Sequence, residues 1–249
     1  MARKSRIIIV GSGIVGASTA YHLAQLGWKD MVILDQGPLF ETGGSTSHAP
    51  GGVFQTNPSR MMCKFAQYTV DLLRSLSFEG KPCFHTVGGI EVSKTKERHQ
   101  DLYRKLGIAH SYGLTDAKII TPDEVLKMSP YIDPEKIHGG YYVPTDGLAA
   151  PVRAVRAMAK YVTDLKAGEF FGDTAVNGFK IQNNQIRGVQ TSKGDYEADI
   201  VLVSTGIWAP KMGRLANISL PLVPCEHQMV WFEPFEELKE FKADHKEAL

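Results

Sequence analysis

The chain has 249 residues, of which 43% are hydrophobic and 22% are charged, and its formal net charge is +1. These values are ordinary for one large globular domain or two smaller ones, and they give no electrostatic reason to expect nucleic acid or an anionic membrane as a partner. Three cysteines (Cys63, Cys83 and Cys225) are far apart and outside any spacing typical of a metal site. No apolar run approaches the length of a signal-peptide core or a membrane span. We therefore expect a reduced, cytoplasmic protein.

Residues 6–36 predict a strand–helix–strand unit. The apolar run Ile7–Val10 is typical of a buried parallel strand, and a helical pattern extends from Ile14 to about Leu26. A second apolar run, Met31–Leu34, predicts the strand that pairs with the first. This order of elements is that of a βαβ unit.

A glycine-rich turn joins the first strand to the helix. Gly11, Gly13 and Gly16 follow the spacing G-x-G-x-x-G, which allows a tight bend, close approach of the backbone to a diphosphate, and close packing of helix against strand. The amino end of the helix offers N–H groups and a positive dipole to phosphates. Asp35, roughly twenty residues further on, is placed to accept hydrogen bonds from ribose hydroxyls. The motif predicts dinucleotide binding and leaves the choice between NAD and FAD open.

The segment Gly43–Gly52 reads GGSTSHAPGG, a composition that argues against a regular helix or strand. A loop this rich in glycine allows close backbone approach to a bound ring system. His48 lies at its centre. One interpretation is a loop histidine bonded to a nearby carbonyl; the other, favoured by the neighbouring dinucleotide motif, is a role at the cofactor. A neutral imidazole is a good nucleophile, so a covalent bond to a cofactor carbon is chemically available.

The middle of the chain, about 85–147, differs from the opening in its pattern of strands, helices and loops. This difference predicts a substrate-side domain inserted into the nucleotide-binding one. Periodicity and capping signals predict a helix over Asn57–Leu76, a strand over Phe84–Ser93 interrupted at Gly88-Gly89, a helix over Arg98–Leu106, a helix with Thr121 as N-cap and Pro122 in its first turn, and a strand over Gly140–Val143.

A helix is predicted over Pro151–Lys166, and the strands and turns predicted after it are again typical of a nucleotide-binding domain. Asn177–Gln190 predicts a β-hairpin with Asn183-Asn184 at its tip, and Ile200–Val203 predicts a buried strand that leads to a turn at Thr205-Gly206. A meander followed by a strand and an S-T-G turn is expected in flavoproteins with a two-dinucleotide fold rather than in simple doubly wound NAD dehydrogenases. This favours FAD, with an NAD-dependent dehydrogenase as the alternative.

Several elements, in the same order along essentially the whole chain, resemble the D-amino-acid-oxidase superfamily of FAD-dependent oxidoreductases. They are the opening motif, GGSTSHAPGGVFQTNPSRMM at 43–62, VGGIEV at 87–92, VPTDGLA at 143–149 and the S-T-G turn. Within the superfamily the chain is most similar to the amino-terminal part of dimethylglycine oxidases and dehydrogenases and of sarcosine dehydrogenases. The resemblance implies an α/β fold: a doubly wound, glutathione-reductase-like FAD-binding domain (1–84 and 148–220) with an inserted, incomplete α+β substrate domain (85–147 and 221–249).

The resemblance also implies the cofactor site. In the family, the histidine of an S-T-x-H element carries FAD covalently through the flavin 8α-methyl group, and the matching residue here is His48. Val176 matches a residue whose backbone meets the adenine side. The cofactor-binding residues expected from the motifs and the resemblance together are Gly11, Ser12, Gly13, Ile14, Val15, Gly16, Asp35, Gln36, Gly44, Ser45, Thr46, Ser47, His48, Gly52, Val176, Thr205 and Gly206.

His227 is the expected catalytic residue. It lies in the segment LPLVPCEHQMV at 220–230, where a strand is predicted to enter the substrate domain. Its position alone predicts a half-buried histidine of this strand, but the family has a substrate-site histidine at the matching position. There it would hold or deprotonate the substrate amine, so that the nitrogen lone pair is free.

The reaction implied by the resemblance is oxidation of an N-methyl amino acid such as dimethylglycine or sarcosine. Hydride passes from the carbon next to nitrogen to the flavin, and the resulting iminium ion gives formaldehyde or passes its carbon to tetrahydrofolate. Family members continue well beyond residue 249, so the chain resembles the amino-terminal part of a larger enzyme. The alternative is a truncated flavin-fold fragment or subunit without activity by itself.

Overall fold

A computed structural model describes residues 3–41, 43–228, 230, 233, 236 and 237. Its strands are β1 (Arg3–Val10), β2 (Met31–Leu34), β3 (Gly52–Val53), β4 (Ser77–Phe78), β5 (Lys81–Pro82), β6 (Phe84–His85), β7 (Gly89–Ser93), β8 (Lys118–Ile120), β9 (Gly139–Val143), β10 (Gly147–Ala149), β11 (Gly168–Phe171), β12 (Val176–Gln182), β13 (Gln185–Thr191) and β14 (Gly194–Val203). Its α-helices are α1 (Ile14–Gln25), α2 (Ser45–His48), α3 (Arg60–Ser75), α4 (Lys96–Ser111), α5 (Pro122–Met128), α6 (Pro151–Asp164) and α7 (Ala209–Leu215). Two short 3-10 helices cover Pro134–Lys136 and Gly206–Trp208. Within these described residues, no helix has the length and apolar character needed to cross a membrane.

The chain divides into two compact units. Residues 3–49, 77–81 and 151–228 belong to the first unit, and residues 50–76 and 82–150 belong to the second. Residues 50–76, placed by the sequence in the nucleotide-binding part, therefore group with the second unit, because β3 pairs with β10 and α3 contacts β6. Residues 238–249 of the predicted substrate domain lie outside the described residues.

The first unit is built on a six-stranded sheet with the strand order β11-β2-β1-β14-β13-β12. The first four strands in this order are parallel, and β13 and β12 continue the sheet as an antiparallel meander. The predicted α/β class with a parallel sheet is confirmed.

Both faces of β1 and β2 are covered, which explains why their apolar runs are continuous. Met212 of α7 packs in a buried cluster with Ile8 and Val10 of β1, whereas Gly16 of α1 approaches Ile9 from the other face. Helix α6 contacts α1 and β11. All four residues of β2 are buried between these layers. The burial predicted for the strand Ile200–Val203 is wrong, because 42% of the Ile200 surface and 40% of the Val203 surface are exposed.

Several local predictions are confirmed because they rest on short-range chemistry. The β1–α1–β2 unit begins and ends within a few residues of the predicted bounds. Thr121 caps α5 in a complete capping box with Glu124 at the third helical position. Asn183 and Asn184 form the tip of the β12–β13 hairpin with φ angles of 50° and 58°, the left-handed region that asparagine tolerates.

The strand predicted over 84–93 with an interruption at Gly88-Gly89 consists of two strands, and Gly88 adopts a φ of 78° between them, so the predicted interruption is confirmed. Two other predictions of secondary structure are wrong. The glycine-rich segment at 43–52 contains the one-turn helix α2, in which the Gly44 carbonyl accepts bonds from the N–H and the hydroxyl of Ser47 at 3.1 and 2.9 Å. The described part of the segment 220–230 contains no strand, and the Leu222 N–H bonds instead to the Leu220 carbonyl at 2.8 Å.

The second unit contains two small antiparallel sheets, with the orders β3-β10-β6 and β7-β9-β8. Its helix α4 contacts β7, β8 and β9. Leu102 and Ala109 of α4 pack in a buried cluster with Tyr141 and Val143 of β9 and with Cys63 of α3. Cys63 is thus a core residue of the second unit.

Asp146 is a buried carboxylate of the second unit, with 3% of its surface exposed. Its Oδ1 accepts two hydrogen bonds of 3.0 Å from Gln55, one from the backbone N–H and one from the side-chain amide. The same amide donates to Thr145 Oγ1 at 2.8 Å. Burial raises the pKa of Asp146 above its usual value, and the bonds from Gln55 act in the opposite direction. Asp146 therefore ties the turn before β10 to the segment after β3.

We expect Asp146→Asn to change the pH dependence of stability. A carboxyl whose pKa is raised in the folded state stabilises most below its unfolded pKa of about 3.9, and this stability is lost as pH rises through the folded pKa. Asparagine keeps an acceptor for Gln55 without the charge, so the variant should gain stability relative to the wild type as pH rises from about 4 to 7. Urea unfolding at several pH values measures this difference.

Asp146→Ala provides the comparison, because it leaves both Gln55 donors without their acceptor and should be about 1–3 kcal/mol less stable than Asp146→Asn at every pH. A difference between wild type and Asp146→Asn that is constant with pH would contradict the assignment of the raised pKa to Asp146.

Candidate functional site

A cavity of about 430 Å³ lies within the first unit, at the carboxyl ends of β1, β2 and β14. The last residues of these strands, Val10, Leu34 and Val203, line it. Ligands of open α/β sheets bind in the crevice outside the carboxyl ends of the strands. The remaining lining comes from residues 11–15, 35, 36, 40, 44–47, 174, 176, 204–209, 211 and 212.

The glycine-rich turn forms one wall of this cavity, and sterics fix two of its glycines. Gly11 has a φ of 107°, and a Cβ placed on it would lie 2.4 Å from the Ser204 carbonyl oxygen. A Cβ on Gly16 would lie 1.9 Å from the Gly11 carbonyl oxygen. Gly16 does not line the cavity; it lets α1 approach the turn that does.

The amino end of α1 faces the cavity through Ile14 and Val15, and 62% of the Val15 surface is exposed. The Ile14 N–H donates to Thr46 Oγ1 of α2 at 2.9 Å. The first turn of α1 carries no acidic side chain. The positive end of the helix dipole is therefore directed at the cavity without a carboxylate of the same turn to offset it.

Asp35 follows β2 and has 8% of its surface exposed. Its Oδ2 accepts two hydrogen bonds of 2.7 Å from Ser12, one from the backbone N–H and one from the hydroxyl. Its Oδ1 accepts only a longer bond of 3.3 Å, from the Gly37 N–H. Oδ1 is thus the oxygen with more capacity to accept a bond from a ligand hydroxyl.

The turn after β14 carries two buried hydroxyl oxygens that have no hydrogen-bond partner within the described residues, Ser204 Oγ and Thr205 Oγ1. Both residues line the cavity. A buried hydroxyl without a partner is costly, so native proteins retain few of them. Each such group calls for an explanation, and a polar ligand that completes the hydrogen bonding is one.

His48 ends α2, is exposed and does not line the cavity, although its neighbours Gly44, Ser45, Thr46 and Ser47 do. Its Nδ1 lies 3.1 Å from Ser47 Oγ and 3.2 Å from the Gly44 carbonyl oxygen. Ser47 Oγ donates its own proton to that carbonyl, so both neighbours of Nδ1 act as acceptors. In the neutral ring Nδ1 therefore carries the proton, and Nε2 holds the nucleophilic lone pair.

Besides Gly16 and His48, two further predicted site residues are not among the residues that line the cavity. Gly52 is in β3 of the second unit. His227 is exposed in an irregular segment of the first unit, where its Nδ1 contacts the Gln228 carbonyl oxygen at 3.1 Å. The roles predicted for both residues stay predictions.

The remaining predicted residues, including Gln36, Val176 and Gly206, all line the cavity. Other lining residues were not predicted, among them Phe40, Thr174, Trp208 and Lys211. The sequence offered one indication that Phe40 could line the cavity, namely its position shortly after the second strand. Its φ of 70° is unusual for a bulky residue.

Known proteins resemble this chain in sequence and in structure. The sequence matches the family model described as FAD dependent oxidoreductase (DAO) over residues 6–247. The mitochondrial dimethylglycine dehydrogenase of Rattus norvegicus is 30% identical over 247 residues, which are 97% of this chain and 28% of the relative. The mitochondrial sarcosine dehydrogenase of Mus musculus is 26% identical over 241 residues, 93% of this chain and 26% of the relative.

A third relative has a different kind of name. The mitochondrial pyruvate dehydrogenase phosphatase regulatory subunit of Mus musculus is 30% identical over 238 residues, 94% of this chain and 26% of the relative. The chain spans about a quarter of the length of these three relatives. Among solved structures, L-proline dehydrogenase from P. horikoshii is 28% identical with a TM-score of 0.78, covering 88% of this chain and 57% of that one.

We expect Gly16→Ala to destabilise the first unit because its Cβ collides with the Gly11 carbonyl, and overpacking of this kind costs about 1–3 kcal/mol. Gly107→Ala in α4 is the matched control, since a Cβ there meets nothing within 4 Å. It should gain up to about 1 kcal/mol from helix propensity. Urea unfolding of both variants measures the contrast, and equal effects would show that the close contact at Gly16 does not constrain the fold.

Proposed function

Because the chain belongs to the family of FAD-dependent oxidoreductases, we propose that it binds FAD in the cavity of the first unit and oxidises an N-methyl amino acid. The observation that carries the proposal is the cavity itself, in which the glycine-rich turn, the amino end of α1 and Asp35 meet. The family match also decides against the NAD-dependent alternative.

The residues present fit the FAD cofactor. Gly11 and Gly13 carry no side chains that would keep a diphosphate from the backbone, next to the positive end of α1. Asp35 Oδ1 can accept a hydrogen bond from a ribose hydroxyl, and Val176, which the family resemblance assigns to the adenine side, lines the same cavity. The unpartnered hydroxyls of Ser204 and Thr205 are consistent with a site that a polar ligand completes. When bound, FAD supplies a two-electron acceptor for hydride.

His48 is the proposed attachment point of the cofactor. Helix α2 places Gly44, Ser45, Thr46 and Ser47 in the cavity wall and ends at His48. The hydrogen bonds at Nδ1 leave Nε2 as the nitrogen available for bonding to the flavin 8α-methyl carbon. The proposal for a covalent linkage rests on this tautomer and on the S-T-x-H element of the sequence.

The substrate proposal rests on the names of the relatives, dimethylglycine dehydrogenase and sarcosine dehydrogenase. Both names specify an amine with an N-methyl group, in which the carbon next to nitrogen gives up hydride when the nitrogen lone pair is free. We assign His227 to hold or deprotonate this amine. The products would be formaldehyde or a one-carbon unit on tetrahydrofolate.

A second candidate is a flavin-fold subunit without catalytic activity. It is favoured by the 30% identity to the phosphatase regulatory subunit, a protein named for regulation rather than for oxidation. Because the chain spans about a quarter of each relative, the activity of a whole relative does not follow from the cofactor site.

We expect the purified chain to be yellow and its flavin absorbance near 450 nm to bleach when dimethylglycine or sarcosine is added without oxygen. The visible spectrum is measured before and after each addition, and buffer alone and glycine are the control additions. A yellow protein that no N-methyl amino acid bleaches would support the subunit without activity. A colourless protein that takes up no added FAD would contradict the proposed cofactor.

We expect His48→Ala to bind flavin without the covalent bond, because the nucleophilic nitrogen is lost while the cavity lining is kept. After acid precipitation, flavin should stay with the wild-type pellet and appear in the supernatant of the variant. His138→Ala is the matched control, since His138 is also exposed and lies in the other unit. Flavin retained by the His48→Ala pellet would assign the linkage to another residue.

A further inference from the structure

Lys211 is a cation that lines the cavity and has no hydrogen-bond or ion-pair partner among the described residues. Asp35 is the other charged side chain in the lining, and its Oδ2 is already bonded twice by Ser12. The cavity therefore contains one engaged carboxylate and one ammonium group without a counter-ion.

The fold holds Lys211 on the cavity side of α7. Its neighbour Met212 is buried in the cluster with Ile8 and Val10, so the helix cannot turn Lys211 away without exposing this apolar contact. The segment that leads into α7 begins against the glycine-rich turn, because Ser204 N–H donates to the Val10 carbonyl at 2.7 Å. The Ser204 carbonyl also occupies the space beside Gly11.

The charges around the glycine-rich turn suit an anion. The amino end of α1 presents a positive dipole with no acidic residue in its first turn. Gly11 and Gly13 have no side chains that would keep an anionic group from the backbone. A diphosphate placed here would carry two negative charges, more than a helix terminus alone offsets.

We propose that Lys211 is a further cofactor-binding residue, which pairs through its ammonium group with the diphosphate of the bound dinucleotide. This inference rests on the proposed binding of FAD in the same cavity. Nothing in the opening motif points to Lys211, which comes from a segment almost two hundred residues later in the chain.

Binding of ADP and adenosine to the flavin-free full-length chain tests the proposal. The His48→Ala chain, freed of flavin by dialysis, is titrated calorimetrically with each ligand. Because only ADP carries the diphosphate, Lys211→Gln should weaken ADP binding roughly tenfold and leave adenosine binding unchanged. Lys211→Arg keeps the charge and should retain most of the ADP affinity. Lys29→Gln is the matched control, an exposed lysine of the same unit outside the cavity lining.

Salt provides a second readout that a structural role would not move. Raising NaCl from about 50 to about 300 mM should weaken ADP binding to the parent chain more than to Lys211→Gln, because the variant lacks the screened ion pair. Equal ADP affinities of parent and Lys211→Gln, or equal losses for ADP and adenosine, would overturn the inference and leave the proposed function standing. A parent chain that binds neither ADP nor FAD would overturn both.

Discussion

The close contact between α1 and the glycine-rich turn is the constraint on which the rest of the first unit depends. With only 1.9 Å between the Gly11 carbonyl oxygen and the place of a Cβ on Gly16, no other residue at position 16 lets the helix start where it does. The Ser204 carbonyl oxygen also packs against Gly11, where it lies 2.4 Å from the place that a Cβ on Gly11 would take. The turn is thus held between α1 and the end of β14, and the cavity opens above it.

This packing also decides the polarity of the cavity. Ser12, between the two glycines of the turn, directs both its N–H and its hydroxyl to Asp35 Oδ2, which fixes the carboxylate at the end of β2. The acid therefore lines the cavity from the end of β2, whereas the amino end of α1 lines it from the glycine-rich turn. A ligand with hydroxyls at one end and anionic charge next to them matches this order, as the adenosine and diphosphate of a dinucleotide do.

The parts of the structure that the sequence predicts correctly depend on neighbours in the chain. The βαβ unit, the capping box at Thr121 and the asparagine tip of the β12–β13 hairpin are of this kind. The family prediction is also confirmed, by the match over residues 6–247, because the motifs and their order can be read directly from the sequence.

Most of the features that the sequence did not predict depend on tertiary contacts. The pairing of β3 with β10, for example, draws residues 50–76 into the second unit. Helix α2 is different, because the Gly44 carbonyl that accepts two bonds from Ser47 is a local contact, which outweighs the flanking glycines. Phe40, Ser204 and Lys211 reach the cavity from separate segments and leave no shared spacing to detect.

The cofactor site and the substrate chemistry differ in how much of the chain they need. Every residue that lines the cavity belongs to the first unit, so this unit alone supplies the glycine-rich turn, Asp35 and Lys211. His227, the proposed base, is exposed in a segment that forms no strand among the described residues, and no hydrogen bond orients it apart from the one to the adjacent Gln228. A base with this one contact among the described residues would need further partners to fix a substrate amine, since catalytic groups need partners that hold their orientation. The proposed cofactor binding therefore rests on contacts present in the described residues, whereas the proposed amine oxidation would need further contacts to position His227. The two properties are separable, which is consistent with a family whose relatives bear the names of both dehydrogenases and a regulatory subunit.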